Sequence, residues 1–364
     1  MNKKATPRVG QDIEKAAELI QKGELVALPT ETVYGLGALA MSDASIERLY
    51  LAKGRPSDHP VIVHICQPEQ INDWACDIAD DALKLAEAFW PGPLTMILKK
   101  KDSVSSKITG GQATVALRIP SHPLTLATIE KVGSGIAAPS ANKFGRLSPT
   151  TASDVDREFG DEVAYVLDGG SCDIGIESTI VNLTGDTPEI LRPGHIDKAA
   201  IEKVLGKEVR SRFEEADANR EPLESNSIKE SVRVPGALPQ HYAPAKPLYL
   251  VKTKELAPAL AKLKGEGKRV SVLAFSSAPS GYDAPWLVSD RNAPEFAQKL
   301  YSRLRELDAS HCDCILVEAP PTDTESLQGW AGIKDRLTRA SSPAPFLPIL
   351  YKDYNDCDHN KQNE

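Results

Sequence analysis

Residues 24–65, which read ELVALPTETVYGLGALAMSDASIERLYLAKGRPSDHPVIVHI, alternate between strand-like and helix-like patterns. A short apolar run is broken by Pro-Thr-Glu-Thr, and two glycines follow, so the chain must turn sharply. Beyond the turn, apolar residues recur at helical spacing until a Gly-Arg-Pro sequence ends the helix. The stretch therefore predicts a strand at 24–28, a helix capped by Ser42 or Asp43, and a second strand at 61–65.

Two cations mark the end of this predicted helix. Lys53 and Arg55 lie on a stiff loop, close to a turn that is rich in hydroxyl groups. Cations and hydroxyls together favour an anion site that needs no cage of metal ligands. A solvated helix end with incidental charges explains the same residues about equally well, so the stretch alone leaves both interpretations open.

The composition bounds the fold and the class of partner. The chain has 364 residues, of which 41% are hydrophobic, so two or more globular domains are expected. Its net charge of −8 argues against a protein that coats nucleic acid, but allows a local basic pocket. We expect no secretory signal, and no segment approaches the roughly 20 apolar residues of a membrane span. Six cysteines without a Cys-x-x-Cys pair or zinc spacing indicate reduced thiols and a cytoplasmic location.

A candidate ligand-binding arginine ends a predicted strand at 114–119. Val115 and Leu117 alternate with small or polar neighbours, which is typical of a half-buried strand, and Arg118 lies at its carboxyl end. Sheets of α/β proteins usually bind ligands at that end, and a guanidinium can donate two parallel hydrogen bonds to a carboxylate. An ion pair with a nearby Asp is the alternative, and the residues alone favour neither.

A loop of small and hydroxyl-bearing residues supplies neutral hydrogen-bond donors. It follows a predicted strand near 135–138 and continues to residue 150. Small side chains let a ligand approach the main chain closely, and Ser140 and Asn142 can donate to phosphate oxygens. Arg192 precedes a turn further along the chain, and taken singly it is better explained as a surface cation. The sequence contains no Walker-type phosphate loop, so ATP chemistry would need a different arrangement.

The order of several short motifs resembles one family of enzymes. PTETVYGLG and KGRPSDHPVIVHI come first, followed by WPGPLT, DGG, ESTI, LRPG and HYAP. This order is similar to that of the threonylcarbamoyl-AMP synthases of the YrdC type, in their long two-domain form. The resemblance implies an α/β fold, in which an N-terminal YrdC-like twisted open sheet with flanking helices is followed by a smaller C-terminal Rossmann-like parallel α/β domain. The expected division is a catalytic domain at 1–206, a linker and active-site lid at 207–246, a second domain at 247–350 and a disordered tail at 351–364.

The resemblance also implies roles for individual residues. The catalytic quartet of the family corresponds to Lys53, Arg55, Ser140 and Asn142. The residues expected to bind L-threonine are Thr32, His64, Arg118, Ala138 and Ser178. Those expected to bind ATP are Arg55, His59, Thr114, Ser140, Ser148, Arg192 and Tyr242. Position 59 departs from the pattern, because many members have Asn where this chain has His, and no metal ligand is expected from the protein.

The reaction implied by the resemblance joins L-threonine, bicarbonate and ATP into threonylcarbamoyl-AMP and pyrophosphate, with Mg²⁺ accompanying ATP. A carbamate on the threonine amine would attack the α-phosphate, which needs positioning and charge neutralisation rather than a protein nucleophile. No residue stands out as a general base. The product would pass to the tRNA threonylcarbamoyl transferase machinery, and contact with tRNA itself would be weak.

Two other functions compete with this one. The first is a binding module for structured RNA, which the acidic net charge disfavours. The second is a carbamoyl-transfer enzyme related to hydrogenase maturation, which would carry Cys-x-x-Cys zinc motifs that this sequence lacks.

Overall fold

The computed structural model describes residues 8–213, 232–236, 241–321 and 329–343. The predicted tail at 351–364, Cys357 and most of the predicted linker lie outside these residues. Within them, the chain forms two sheets, each with helices packed against it. Among the helices formed by these residues, none combines the length and apolar character that a membrane crossing requires.

The first sheet is mixed and comprises eleven strands within the described ranges. They are β1 (Val9–Gly10), β2 (Val26–Leu28), β3 (Gly35–Leu39), β4 (Ile62–His64), β5 (Leu94–Lys99), β6 (Thr114–Arg118), β7 (Ile136–Ala137), β8 (Tyr165–Leu167), β9 (Thr179–Asn182), β10 (Glu189–Arg192) and β11 (Arg210–Ser211). Their order across the sheet is β1-β8-β2-β3-β7-β4-β6-β5-β9-β10-β11. The parallel strands β4 and β6 end side by side, with His64 in register with Arg118, and β3 places Gly35 beside Ser140. The middle of this sheet therefore gathers residues that are far apart in sequence.

Helices cover the sheet and connect its strands. In the first domain they are α1 (Ile13–Gln21), α2 (Asp43–Lys53), α3 (Ile71–Trp74), α4 (Asp80–Phe89), α5 (Ser106–Thr109), α6 (Pro123–Val132), α7 (Ala152–Phe159) and α8 (Lys198–Leu205), with 3₁₀ turns at Pro68–Gln70 and Gly160–Glu162. Ser42 caps α2 by accepting from the Ser45 amide at 3.2 Å, and Gly54 ends it with a φ of 61°. The cap and the stop of α2 are confirmed, because both depend on local sequence. The rigid end of α2 carries Lys53 inward, where it is buried.

The second domain contains a smaller sheet, which is entirely parallel. Its described strands are β12 (Leu248–Val251), β13 (Val270–Ala274), β14 (Trp286–Val288) and β15 (Cys314–Glu318), in the order β12-β15-β13-β14, with helices α9 (Thr253–Gly265), α10 (Ala293–Ala309) and α11 (Ala331–Ala340). The predicted parallel α/β architecture of this part is confirmed. Helix α10 buries one face, including Phe296 and Leu300, against the sheet, as its periodic apolar residues predict.

The two domains share a hydrophobic cluster. Val33, Leu147 and Ile176 of the first domain pack with Leu300 and Ile333 of the second. These apolar contacts join the two domains directly.

Several element boundaries differ from the prediction: the strands predicted at 24–28 and 61–65 are shorter, as β2 (Val26–Leu28) and β4 (Ile62–His64). The pattern of residues 177–182 favours a strand over its whole length, but β9 begins only at Thr179, because the main-chain carbonyls of Glu177 and Ser178 accept hydrogen bonds from Arg336 and Arg192, respectively. Helix α7 is capped by Thr151 and not by Thr150, because the Thr151 hydroxyl accepts from the Asp154 amide at 3.2 Å.

Candidate functional site

A cavity lies over the middle of the first sheet, and a segment that contributes Pro235, Gly236, His241 and Tyr242 to its lining closes over it. Its volume is about 50 Å³. The walls combine cations, hydroxyls, histidines and main-chain groups: Thr30, Thr32, Val33, Gly35, Lys53, Arg55, Ile62, His64, Arg118, Ala138, Pro139, Ser140, Asn142, Phe144, Glu177, Ser178, Arg192, Pro235, Gly236, His241 and Tyr242. The cavity therefore joins the cation-bearing loop after α2 to the strand end that carries Arg118.

Arg118 is held from two sides at one end of the cavity. Its Nη1 donates to Thr32 Oγ1 at 2.9 Å, and its Nε donates to the Gly92 carbonyl at 3.1 Å. Its Nη2 lies 2.7 Å from Glu31 Oε1, in an orientation that gives an ion pair without an aligned hydrogen bond. The ion-pair alternative from the sequence is thus partly right, with Glu31 in place of an Asp. The paired guanidinium still lines the cavity, so it can also bind a ligand there.

His64 presents a neutral imidazole next to Arg118. Burial, reinforced by the charge of Arg118, lowers the His64 pKa to about 3. Its Nδ1 is buried and has no hydrogen-bond partner among the described residues. A neutral ring with one free nitrogen can accept or donate a single hydrogen bond to a bound molecule.

The hydroxyl of Ser178 connects Arg192 in the cavity wall to Thr95 on strand β5. Ser178 Oγ shares a hydrogen bond of 2.7 Å with Thr95 Oγ1 and accepts another from Arg192 Nη2 at 3.0 Å. The N–H of Ala138, which also lines the cavity, donates to the Ile62 carbonyl at 3.0 Å. Only the carbonyl of Ala138 is therefore available to a ligand, as an acceptor.

Lys53 secures the loop that follows β7. Its Nζ donates to the main-chain carbonyls of Ser140 and Asn142, both at 2.5 Å. Burial, with a further contribution from Arg55, places the Lys53 pKa well below its ordinary value. The Asn142 amide donates to the carbonyls of Lys143 and Arg146, and its Oδ1 has no partner in the described part of the chain. Lys53 thus fixes the backbone from which Ser140 and Asn142 project.

Two arginines contribute further buried positive charge. Arg55 donates through Nη2 to the Pro60 carbonyl at 2.8 Å, and burial lowers its pKa to about 10. Arg192 donates through Nη1 to the Pro235 carbonyl at 3.0 Å, and burial also lowers its pKa. Both contacts are to neutral carbonyls, and Arg55 Nε is buried without a hydrogen-bond partner among the described residues, so the positive charge at this end of the cavity has no matching anion in those contacts.

The segment that closes the cavity carries two buried aromatic side chains. Tyr242 adopts a positive φ of 60°, which is uncommon for a residue other than glycine. Its hydroxyl and His241 Nδ1 are buried and have no hydrogen-bond partner among the described residues. Burial lowers the His241 pKa to about 3 and raises that of Tyr242. Strain and unsatisfied polar atoms together are typical of a site that a ligand completes.

Comparison with known proteins matches both domains. A family model described as telomere recombination covers residues 18–194, and one described as the C-terminal domain of threonylcarbamoyl-AMP synthase covers residues 196–342. The threonylcarbamoyl-AMP synthase of Pyrococcus abyssi is 40% identical over 337 residues, which is 90% of this chain and 94% of that protein. The Bacillus subtilis synthase is 38% identical over 335 residues, 90% of this chain and 92% of its own.

The chain belongs to the threonylcarbamoyl-AMP synthases.

A solved relative also shares the whole architecture of this synthase. The crystal structure of P. abyssi Sua5 complexed with L-threonine aligns with a TM-score of 0.79 and 38% identity, over 92% of this chain and 96% of that one. The predicted two-domain fold, family and activity are thereby confirmed: the enzyme is a nucleotidyltransferase that makes threonylcarbamoyl-AMP for threonylcarbamoyladenosine in tRNA. This function takes precedence over the two alternatives raised by the sequence.

Three of the residues that the sequence singled out lie outside the cavity lining of the synthase. His59 packs edge-on against Phe144, a lining residue, with ring centroids 5.6 Å apart. Ser148 is buried and donates to Glu177, which also lines the cavity. Thr114 begins β6, at the opposite end of that strand from Arg118.

Several buried charged or polar groups around the site were not predicted from the sequence. Glu31 belongs to the PTET motif and Glu177 to the ESTI motif, so an acid within each motif was the available signal. His241 adjoins Tyr242 in the HYAP motif. Arg336 reaches the site from helix α11 of the second domain, and no local pattern marks it.

Proposed function

We propose that the cavity binds L-threonine at its Arg118 end and ATP along its buried cations, so that the two substrates meet between them. The observation that carries this proposal is the separation of charge within one cavity. Arg118 is already paired with a carboxylate at one end, whereas Lys53, Arg55 and Arg192 contact neutral carbonyls at the other. These three cations have the positive charge needed to neutralise a triphosphate. The solved P. abyssi relative is a complex with L-threonine, which supports an amino-acid site in the family.

For threonine, each proposed residue offers a suitable group. Arg118 and the Thr32 hydroxyl form a unit that can bind the carboxylate. The Ala138 carbonyl can accept only from the amine or the hydroxyl, because its N–H is already used. The remaining groups are the neutral His64 ring and the Ser178 hydroxyl.

For ATP, we propose that Arg55, Arg192, Ser140 and Tyr242 contact the nucleotide directly. Lys53 holds the loop and adds charge, and Asn142 completes the quartet as a neutral hydrogen-bonding group. His59, Thr114 and Ser148, which lie outside the lining, are proposed to contact ATP at the border of the site. Mg²⁺ would enter as part of the Mg–ATP substrate: among the described residues no three His, Cys, Asp or Glu side chains form a metal cluster, and Mg²⁺ is commonly held through substrate phosphates.

The reaction follows from this placement. A carbamate formed from the threonine amine and bicarbonate would attack the α-phosphate, and pyrophosphate would leave toward the cations. These side chains need only orient the reactants and neutralise charge, because the carbamate is itself the nucleophile. Excluding water protects the carbamate and the mixed anhydride and strengthens the electrostatics of the site.

Residues 207–246 are proposed to act as a lid between a catalytic unit at 1–206 and a second domain at 247–350. The cavity of about 50 Å³ has room for only a few water molecules. ATP can therefore enter only if Pro235, Gly236, His241 and Tyr242 move away from the sheet. Arg192 would then exchange the Pro235 carbonyl for a phosphate oxygen.

The partners of the enzyme are proposed from its chemistry. Threonylcarbamoyl-AMP is a reactive acyl adenylate, so we expect a tRNA threonylcarbamoyl transferase to consume it directly, in the cytoplasm. Contact of the synthase itself with tRNA would be weak, given its net charge of −8.

The threonine assignment is tested with Arg118→Lys, which keeps the positive charge beside Glu31 but loses the planar fork. We expect the KM for threonine to rise about tenfold or more, because charge-assisted hydrogen bonds are lost, while nucleotide binding changes by less than about twofold. Product formation from labelled bicarbonate, ATP and threonine gives both constants. Equal losses for ATP and threonine, or adenylate formed without threonine, would contradict the proposal.

A further inference from the structure

Glu177 connects the active-site cavity to the second domain. Its carboxylate lines the cavity and accepts a hydrogen bond from Ser148 Oγ at 2.5 Å. From helix α11, Arg336 Nε donates to Glu177 Oε2 at 2.8 Å, and from helix α10 the Tyr301 hydroxyl donates to the same oxygen at 3.0 Å. Both donors are fully buried. A carboxylate of the first domain is therefore oriented by two side chains of the second.

The closing segment is held by the same two side chains. The Arg336 guanidinium lies 5.2 Å from the centre of the Tyr242 ring, and the Tyr301 ring stacks on Tyr242 with centroids 6.1 Å apart. The His241 amide donates to the Arg339 carbonyl at the end of α11. The position of Tyr242 over the cavity is thus set by helices α10 and α11.

The charges of this network are balanced within it. Burial alone would raise the Glu177 pKa, but Arg336 and Arg192 outweigh burial and lower it, so the carboxylate stays ionised. Asp335 is paired with Arg336 and with Arg339, each at 2.8 Å. The two carboxylates are therefore matched by two arginines of α11, and Arg192 acts on Glu177 only through its charge, because its own hydrogen bonds go to Ser178 and Pro235. Without Arg336, the buried Glu177 carboxylate would pair with the Arg192 guanidinium instead.

We propose that Arg336 and Tyr301 are positioning residues for nucleotide binding, through which the second domain completes the active site. They orient Glu177 and with it Ser148, hold Tyr242 in place, and keep Arg192 available for phosphate. This inference rests on the proposed assignment of Ser148, Arg192 and Tyr242 to ATP. It gives the second domain a defined role in the reaction.

The experiment compares variants that remove single groups from the network. Tyr301→Phe deletes only the hydroxyl. Arg336→Lys keeps the positive charge but loses the planar guanidinium, which also donates to the Pro193 carbonyl. We expect each to raise the KM for ATP about fivefold or more and to change the KM for threonine by less than about twofold. Glu177→Gln combined with Arg336→Met removes both charges, and should recover part of the ATP affinity lost in Arg336→Met alone, because no unpaired carboxylate remains.

The matched control is Tyr282→Phe. The Tyr282 hydroxyl also donates to a main-chain carbonyl of the second domain, that of Val270, but Tyr282 lies outside the Glu177 network and the cavity lining. We expect this variant to keep the KM values of the wild type. Thermal unfolding of every variant separates loss of fold from loss of positioning.

The outcomes distinguish this inference from the function on which it rests. If Tyr301→Phe melts like the wild type and leaves the ATP-to-threonine ratio of KM values unchanged, the positioning role is refuted while the nucleotide site stands. A change in both KM values by the same factor would also refute it. If mutation of Arg192 itself leaves ATP binding intact, the assignment of the nucleotide site fails first.

Discussion

Burial determines the charge of His64 and makes stability depend on pH. The His64 pKa is lowered to about 3, whereas an unfolded histidine titrates near 6.5. Below pH ~6.5 the unfolded chain binds a proton that the folded chain does not, so stability falls as the pH drops from there toward 3. We expect His64→Gln to remove about 1.4 kcal/mol per pH unit of this dependence between pH ~4 and ~6.

Urea unfolding at a series of pH values measures this slope. His311→Gln is the control, since His311 is exposed and lies far along the chain, in the second domain. Identical slopes for the wild type and His64→Gln would show that His64 carries a proton in the folded state.

At the same scale, the sequence predicted which residues come together better than it predicted their partners. Lys53, Arg55, Ser140 and Asn142 all line one cavity, although they span about ninety positions. The Glu31 partner of Arg118 was missed, because a pattern along the chain does not indicate which side chains meet across a fold. The burial that makes His64 neutral is likewise a property of the assembled sheet.

Among elements, the closing segment depends on a glycine. Gly236 has a φ of 79°, and a Cβ added there would overlap the Tyr242 hydroxyl and approach Arg192 Nη1 to 3.5 Å. Gly236→Ala should therefore displace the segment and raise the KM for ATP by about tenfold. It should also lower the free energy of unfolding by ~1–2 kcal/mol, which is the cost of an alanine in the left-handed conformation. Steady-state kinetics with ATP varied is the measurement.

Gly133→Ala controls for the backbone cost alone. Gly133 has a comparable φ of 71° at the end of α6, and a Cβ there meets nothing within 4 Å. If both variants lose the same stability and both keep the wild-type KM, the segment is not constrained by this contact.

The elements that could be predicted are those with local determinants. Helix α2 begins at a serine cap and ends at a left-handed glycine, and both signals are in the sequence itself. The start of β9 was misplaced because the carbonyls of Glu177 and Ser178 are used by arginines from distant parts of the chain. Tertiary contacts of this kind override local strand propensity.

For the whole molecule, alternating strand and helix patterns predicted a parallel second domain, but not its packing on the first. Glu177 and Arg336 are 159 positions apart, and although Glu177 lies in the ESTI motif, no local pattern marks Arg336 as its partner. At the interface the main chains of the two domains approach closely, and ion pairs also join the domains. The close approach requires small residues, and their role can be recognised only in the folded structure.

Gly175 provides a direct test of that approach. It has a φ of 80°, and a Cβ there would lie 2.5 Å from both the Ala297 carbonyl oxygen and Gln298 Cα of helix α10. Gly170 has nearly the same φ, 83°, with nothing within 4 Å of an added Cβ. Gly170→Ala should cost only the left-handed strain of about 1–2 kcal/mol.

Gly175→Ala should cost a further ~1–3 kcal/mol, because helix α10 must move away to relieve the overlap. Urea unfolding compares the two variants, and equal losses of stability would mean that α10 does not press on the first domain. Tyr301 lies one turn beyond Ala297 on the same helix, so displacing α10 should also loosen its hydrogen bond to Glu177. We therefore expect Gly175→Ala, but not Gly170→Ala, to raise the KM for ATP more than that for threonine.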